Sequence, residues 1–269
     1  MYRLGCCVPS ASFAPQIKGA YEVTLDTITE NSRFTLDCGF DYVELTVGVI
    51  MSLSDEELVT LRERDLKIES ANSFIPGKFS IIEGGEELEA YAAEAIRKSA
   101  LAGIKVIVFG SGAARRMPDG ATEEEKLASV KGFLTHCNEY AKKYGVTIVI
   151  EPLQSGECNY INKVTEGASI ARELGLSNIR SLADSFHMGL EKEPFSVLSQ
   201  VSDVLAHIHV AENVTRTYPG KENDEAFLPE MARVLKTTDY DGRISIECNF
   251  TDFKAEAPLA YEYLNKIFN

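Results

Sequence analysis

TIVIE (Thr147–Glu151) is a run of β-branched residues that ends on a carboxylate, and three later segments repeat its form. They are IRSLAD (Ile179–Asp184), LAHIH (Leu205–His209) and RISIE (Arg243–Glu247). Their last residues lie 33, 25 and 38 positions apart, and one strand-plus-helix unit of an α/β barrel takes about 30 residues. The spacing predicts four consecutive units, each carrying one oxygen or nitrogen ligand at the carboxyl end of its strand. A single acid at a strand end is ordinarily solvated or caps a helix. Three carboxylates and an imidazole in succession point instead to a shared site for a divalent cation.

Outward from these segments the chain alternates between two periodicities. Short apolar runs at 3–8, 42–46, 66–71, 106–109, 146–151, 179–184, 204–210 and 244–248 read as strands. Amphipathic stretches at 24–37, 54–64, 86–102, 122–144, 163–174, 194–201, 224–237 and 254–267 read as helices. Strict βα alternation implies a parallel sheet, and eight units imply an α/β fold of the closed (β/α)8 TIM-barrel type, with residues 1–269 as one domain. Ser54 with Glu57, and Thr122 with Glu125, have the form of capping boxes. Gly39, Gly103, Gly145 and Gly175 follow helical stretches where left-handed caps are expected. The longer connections follow strands, which places the functional face at the strands' carboxyl ends.

Composition narrows the partners. The net charge of −14 argues against a surface that tracks nucleic-acid phosphates, which draws on clustered Lys and Arg. No apolar run approaches the roughly 18 residues of a membrane span, and no signal-peptide pattern opens the sequence. The six cysteines lack CxxC spacing, which favours reduced thiols over a disulfide scaffold. The expectation is a cytoplasmic protein acting on a small molecule.

Hard carboxylate oxygens with one imidazole suit Mn²⁺, Mg²⁺ or Co²⁺. Four protein ligands leave two positions of a six-coordinate ion for substrate oxygens, as a hydroxy-ketone would supply. Such an ion acts as a Lewis acid while a proton leaves the carbon beside the carbonyl. Two of the ligand carboxylates can double as acid and base if they flank that carbon.

Glu151-Pro-Leu, Asp184-Ser-Phe-His187-Met, His207-Ile-His209-Val-Ala-Glu212-Asn213 and Ser245-Ile-Glu247-Cys together resemble the successive motifs of the sugar isomerase/epimerase superfamily, with its xylose-isomerase-like barrel. FDYVEL (Phe40–Leu45) continues the likeness more weakly. The nearest branch is the ketose 3-epimerases, acting on D-tagatose, D-psicose or L-ribulose 5-phosphate. The resemblance implies that Glu151, Asp184, His209 and Glu247 bind the metal, Mn²⁺ above Mg²⁺ or Co²⁺. It also implies that Glu151 and Glu247 exchange the C3 proton of a ketose or its phosphate through a metal-bound enediolate. Glu157 and His187 would hold substrate oxygens, and a homo-oligomer is expected. The family's arginine falls six residues beyond the ligand histidine; here Thr215 stands there, and Arg216, one place later, is expected to serve after a one-residue loop insertion. No Trp is present, so aromatic walls must come from Phe or Tyr, with Phe109 and Phe74 as candidates.

Other features weigh less. Gly110-Ser-Gly112 followed by Arg115 and Arg116 fits either a phosphate-binding loop or a turn with solvated arginines. Lys78 has no supporting pattern. His136 reads as structural or exposed, His207 as packed or hydrogen-bonded below His209, and Cys248 as packing. Neither GxSxG nor GxGxxG occurs. Three rivals to an epimerase share the barrel. The first is a dehydratase or hydroxypyruvate-isomerase-like enzyme on the same metal. The second is an endonuclease-IV-like nuclease, disfavoured by four histidines and the acidic charge. The third is a sugar-binding barrel without catalysis.

Overall fold

Eight short strands pair side by side, in chain order, into a closed parallel barrel. They are β1 (Arg3–Cys7), β2 (Tyr42–Thr46), β3 (Ile68–Asn72), β4 (Val106–Phe109), β5 (Thr147–Ile150), β6 (Ile179–Asp184), β7 (Leu205–Val210) and β8 (Arg243–Ile246). β8 returns to pair with β1 through Arg3–Arg243 to Cys6–Ile246 and so closes the ring. The computed structural model describes residues 1–9, 23–222 and 226–269. The predicted helix at 224–237 begins on residues outside that set; its described part is Phe227–Leu235.

Each strand is followed by helix, and the local chemistry sets the ends. Ser54 and Thr122 both form the expected capping boxes, with Glu57 and Glu125 reaching back to the cap amides. Gly145 and Gly175 end their helices in the left-handed conformation at φ 68° and 61°, where a Cβ would cost free energy. β3 starts at Ile68, two residues later than the apolar pattern predicts. Asp65 and Lys67 both take positive φ, so the chain is still turning there. Beyond a short helix at the end of β6, the predicted helix at 194–201 is a 3₁₀ turn, Phe195–Val197, running into the four-residue helix Leu198–Val201. Three further short helices, Val47–Ser52, Gly112–Arg115 and Ser185–Leu190, sit directly on the ends of β2, β4 and β6. With four to six residues each, they are too short for a helical period to show in sequence.

Strand side chains alternate between the outer helices and the lumen, and the lumen is divided. On one side Val106, Val108, Val149 and Leu182 form an apolar cluster. On the other, Tyr42, Glu44, Ser70, His207, His209 and Ser245 form a buried polar network. Tyr42 crosses toward β1, where a Cβ on Gly5 would lie 2.2 Å from its ring; only glycine fits opposite it. Below the ring, Arg3 and Arg243 both bind Glu69 at 2.6 Å and close the amino end of the lumen. Among the described residues no helix is long and apolar enough to cross a membrane. All six cysteines are free thiols.

Candidate functional site

Asp184 closes β6, and the ladder pairs it directly with His209 of β7. Glu151 and Glu247 each follow their strand, β5 or β8, by one residue. All four predicted ligands therefore stand at one level on the carboxyl end of the barrel. One donor atom from each lies within 4.8 Å of the others, and all four residues are buried.

The two oxygens of Asp184 have different surroundings. Its Oδ1 accepts the amides of Phe186 at 2.7 Å and His187 at 3.2 Å, capping the helix Ser185–Leu190. Its Oδ2 is buried without a hydrogen-bond partner. Such an oxygen costs about 1–3 kcal/mol or more if nothing compensates it, and a divalent cation among these donors would do so.

His209 is surrounded by carboxylates. Nδ1 lies 3.1 Å from Glu151 Oε1 and 3.6 Å from Glu247 Oε2, and Nε2 lies 3.0 Å from Glu44 Oε1. Burial opposes charge on the ring, but Glu44 and Glu247 outweigh it and lift its pKa well above the usual imidazole value. A cation on this ring has to displace that proton. The two glutamates beside it differ in environment. Burial also works against charge on Glu247, yet His209 and Arg216 prevail and hold its pKa at about 2. Burial and the neighbouring Glu247 raise that of Glu151, and the His209 hydrogen bond offsets this only in part.

The residues expected to touch substrate surround this cluster. Arg216 Nη2 meets Glu247 Oε2 at 2.5 Å, Nη1 lies 3.4 Å from Glu157 Oε1, and the guanidinium stacks 4.9 Å over the Phe186 ring. The shifted arginine reaches the site by taking a left-handed turn, φ 53°, where its carbonyl accepts the Asn249 amide at 2.7 Å. His187 is buried; its Nδ1 accepts the Gln154 amide at 3.1 Å. Nδ1 must then carry the lone pair, and Nε2 a proton. That Nε2 has no hydrogen-bond partner and lies 4.0 Å from Asp184 Oδ2, a donor at the edge of the ligand cluster. Glu157 is exposed, and its carbonyl accepts Arg116 Nη2 at 2.9 Å. A cavity of 360 Å³ opens over the cluster, with Glu151, Glu157, Arg216 and Glu247 on its wall beside Tyr91 and Ser111. A larger groove of 640 Å³, between Asp26 and Lys254, lies on the outer helices away from the strand ends.

The lesser expectations meet different outcomes. Arg115 is no phosphate ligand: it is fully buried, and its Nη1 donates to the main-chain oxygens of Phe109 at 3.1 Å and Glu151 at 2.7 Å. Gly110 allows close approach of a carboxylate, since a Cβ there would lie 2.1 Å from Glu151 Oε2. Phe74 and Phe109 are fully buried and pack on each other and on Phe133, so the aromatic on the cavity wall is Tyr91. Lys78 lies 4.8 Å over the Phe79 ring. His136 is half-buried against the Glu89 carbonyl, and His207 is hydrogen-bonded below His209 to Glu44. Sequence reasoning missed two residues that touch the predicted ligands. Glu44 binds His209, and Asn72 donates Nδ2 to Glu247 Oε1 at 3.1 Å. A charged residue in the middle of the apolar run YVELT was the available signal for Glu44, because an unpaired charge is not tolerated in a buried strand.

The sequence matches the family model described as xylose isomerase-like TIM barrel over residues 33–266. It is similar to a D-psicose 3-epimerase of Agrobacterium fabrum (strain C58), 24% identical across 78% of this chain and 75% of that one. It is also similar to a 3-dehydro-D-guloside 4-epimerase of Escherichia coli K12, 23% identical across 82% of this chain and 87% of that one. Among solved structures, a D-psicose 3-epimerase with D-tagatose from Clostridium cellulolyticum H10 superposes with a TM-score of 0.82, covering 99% of each chain at 16% identity. At that identity the superposition speaks to the fold alone.

Proposed function

Since the chain belongs to the xylose isomerase-like TIM barrel family, we propose that it is a divalent-metal-dependent epimerase or isomerase of a small ketose. Glu151, Asp184, His209 and Glu247 are its metal ligands, and Glu151 and Glu247 its catalytic carboxylates. The convergence of four buried donors within 4.8 Å carries this assignment, reinforced by the unpaired Asp184 Oδ2 among them. The donor set fits a hard or borderline cation, Mn²⁺ before Mg²⁺ or Co²⁺. When bound, such an ion stabilises negative charge on the substrate's carbonyl and adjacent hydroxyl oxygens.

The side chains do the rest. Glu151 and Glu247 arrive from strands on either side of His209, so a sugar carbon held over the imidazole has one carboxylate at each face. One removes the proton beside the carbonyl, and the other returns a proton from the opposite face, inverting that carbon. His187 donates its Nε2 proton to a substrate oxygen, and Glu157 and Arg216 bind hydroxyls. Arg216 also holds Glu247 in place. It is the one cation on the described cavity wall and is already paired with two carboxylates. That composition favours an unphosphorylated sugar. The names of the relatives, a 3-epimerase and a 4-epimerase, agree with proton exchange beside a carbonyl as the shared step.

The test is proton–deuterium exchange followed by NMR. The metal-stripped protein, reloaded with Mn²⁺, Mg²⁺ or Co²⁺, is incubated in D₂O with free and phosphorylated ketoses, and paramagnetic ions are removed before spectra are taken. The expected result is metal-dependent deuterium at C3 with a new epimer, abolished in Glu247→Gln. Deuterium at C1 or C2 with an aldose product would instead establish the aldose–ketose isomerase. Tight metal binding with no exchange into any ketose would overturn the proposal.

A further inference from the structure

Glu44 sits one layer below the ligand cluster, in the middle of β2, with no exposed surface. Burying a carboxylate this deeply costs several kcal/mol unless its oxygens are fully engaged. They are. Oε1 lies 3.0 Å from His209 Nε2, and Oε2 lies 3.0 Å from His207 Nε2, 2.7 Å from Ser70 Oγ and 2.6 Å from Ser245 Oγ. An ionised carboxylate only accepts, so all four neighbours must donate. With its own proton directed to Glu44, Ser245 Oγ accepts from Tyr42 Oη at 2.8 Å. His207 is left with a bare Nδ1, which has no partner.

The same bookkeeping fixes His209. Its Nε2 must carry a hydrogen for Glu44, which leaves Nδ1 as the nitrogen free to ligate, and Nδ1 is the one that faces Glu151 and Glu247. We infer that Glu44 is a positioning residue for the metal centre, holding His209 by its Nε2–H so that the Nδ1 lone pair points into the ligand cluster. The inference rests on the assignment of His209 as a ligand. Ser70 sets the carboxylate's height, since the two residues pair across the β2–β3 ladder. His207 and Ser245 engage the oxygen that His209 does not use. A carboxylate behind a ligating imidazole orients the ring and raises its basicity, and removing one typically costs about 10–100-fold in metal affinity.

The experiment compares Glu44→Gln with wild type in two measurements. One is the Mn²⁺ and Mg²⁺ dissociation constant by calorimetry. The other is the ¹⁵N–¹H spectrum of the imidazoles in the Mg²⁺-loaded protein. Wild type is expected to show His209 protonated at Nε2 and metal-bound at Nδ1. Glu44→Gln is expected to bind either ion about 10–100-fold more weakly and to lose the single Nε2–H form, while KM for sugar at saturating metal stays unchanged. Should Glu44→Gln not fold, Ser70→Ala keeps the carboxylate but removes one of its donors, and is expected to shift both readouts in the same direction by a few-fold. Unchanged affinity with an unchanged His209 spectrum, in whichever variant folds, would overturn the inference, as would a wild-type His209 protonated at Nδ1. His209→Ala separates the two levels. If it binds metal as tightly as wild type, the assignment of His209 as a ligand has failed; if it alone loses affinity, only the role of Glu44 has.

Discussion

Replacing Gly110 by alanine introduces a single methyl group against the Glu151 carboxylate, proposed above to be catalytic. The new Cβ would lie 2.1 Å from Glu151 Oε2 and 3.2 Å from its Cδ, so the carboxylate has to retreat by roughly 1 Å or more. The backbone at Gly110 does not have positive φ and accepts alanine without strain. Glu151 has little freedom to yield, because its side chain meets His209 at 3.1 Å and its carbonyl is held by Arg115 at 2.7 Å. A displacement of about 1 Å at a reacting group costs on the order of 10²-fold in rate, and overpacking a buried site costs about 1–3 kcal/mol. Gly110→Ala should therefore fold, with a Tm lowered by no more than about 10 °C. It should bind Mn²⁺ at least tenfold more weakly and lose roughly 10²-fold in kcat for deuterium exchange. Calorimetry, thermal melting and the exchange assay read the three effects separately. A variant that keeps metal affinity and kcat within about threefold of wild type would refute the placement of Glu151 against Gly110, since a 1 Å displacement cannot be silent there.

Further outcomes follow from other parts of the molecule. In the metal-free protein His209 holds its proton well above the usual imidazole pKa. Mn²⁺ affinity should therefore rise about tenfold per pH unit until that value is passed and then level off; titrations in buffers of different ionisation enthalpy count the proton released, and an affinity that does not rise with pH through the ordinary imidazole range, near 6.5, would contradict the site. The same raised value contributes stability that is complete below the unfolded pKa near 6.5 and is lost as pH rises through the folded one, measurable as a falling urea midpoint of the apo protein. Phe74→Ala empties a fully buried position between Phe109 and Phe133 and should cost about 3–5 kcal/mol in urea unfolding; a loss under about 1 kcal/mol would mean that these rings are not packed together. Gly132→Ala, in the helix Glu123–Tyr144 with nothing within 4 Å of the added methyl, should gain up to about 1 kcal/mol and leave metal binding untouched.

The barrel was legible because its strands are short and apolar, its helices are amphipathic, and the two alternate without interruption. The clustering of Glu151, Asp184, His209 and Glu247 was legible for a local reason, each being a polar residue on the end of an apolar run. What sequence could not show was anything decided across the lumen. Alternation says that Tyr42 and Glu44 share a face of β2, but not that the face meets His207, His209 and Ser245, which lie 163 to 203 positions away. Arg115 misled for a similar reason. A guanidinium after a glycine-rich turn suggests a phosphate, whereas the fold inserts it between two strand ends to hold their carbonyls. Phe109 ends β4 and Phe74 follows β3 by two residues, yet both pack against Phe133, and the cavity wall carries Tyr91 from a helix.

The polar half of the lumen also bears on how the chain reaches its final state. The bonds Tyr42–Ser245, Glu44–Ser245 and Asn72–Glu247 join positions 203, 201 and 175 residues apart, and contacts of such separation form late because the intervening loop must first be closed. Until β8 docks, Glu44 lacks Ser245 and the cluster lacks Glu247, so a partly assembled barrel would offer a cation only a fragment of the proposed ligand set. A cation that binds the closed ring alone stabilises that ring against every open intermediate. Metal capture at the proposed site would thus report, during refolding, the moment at which the last strand has found the first.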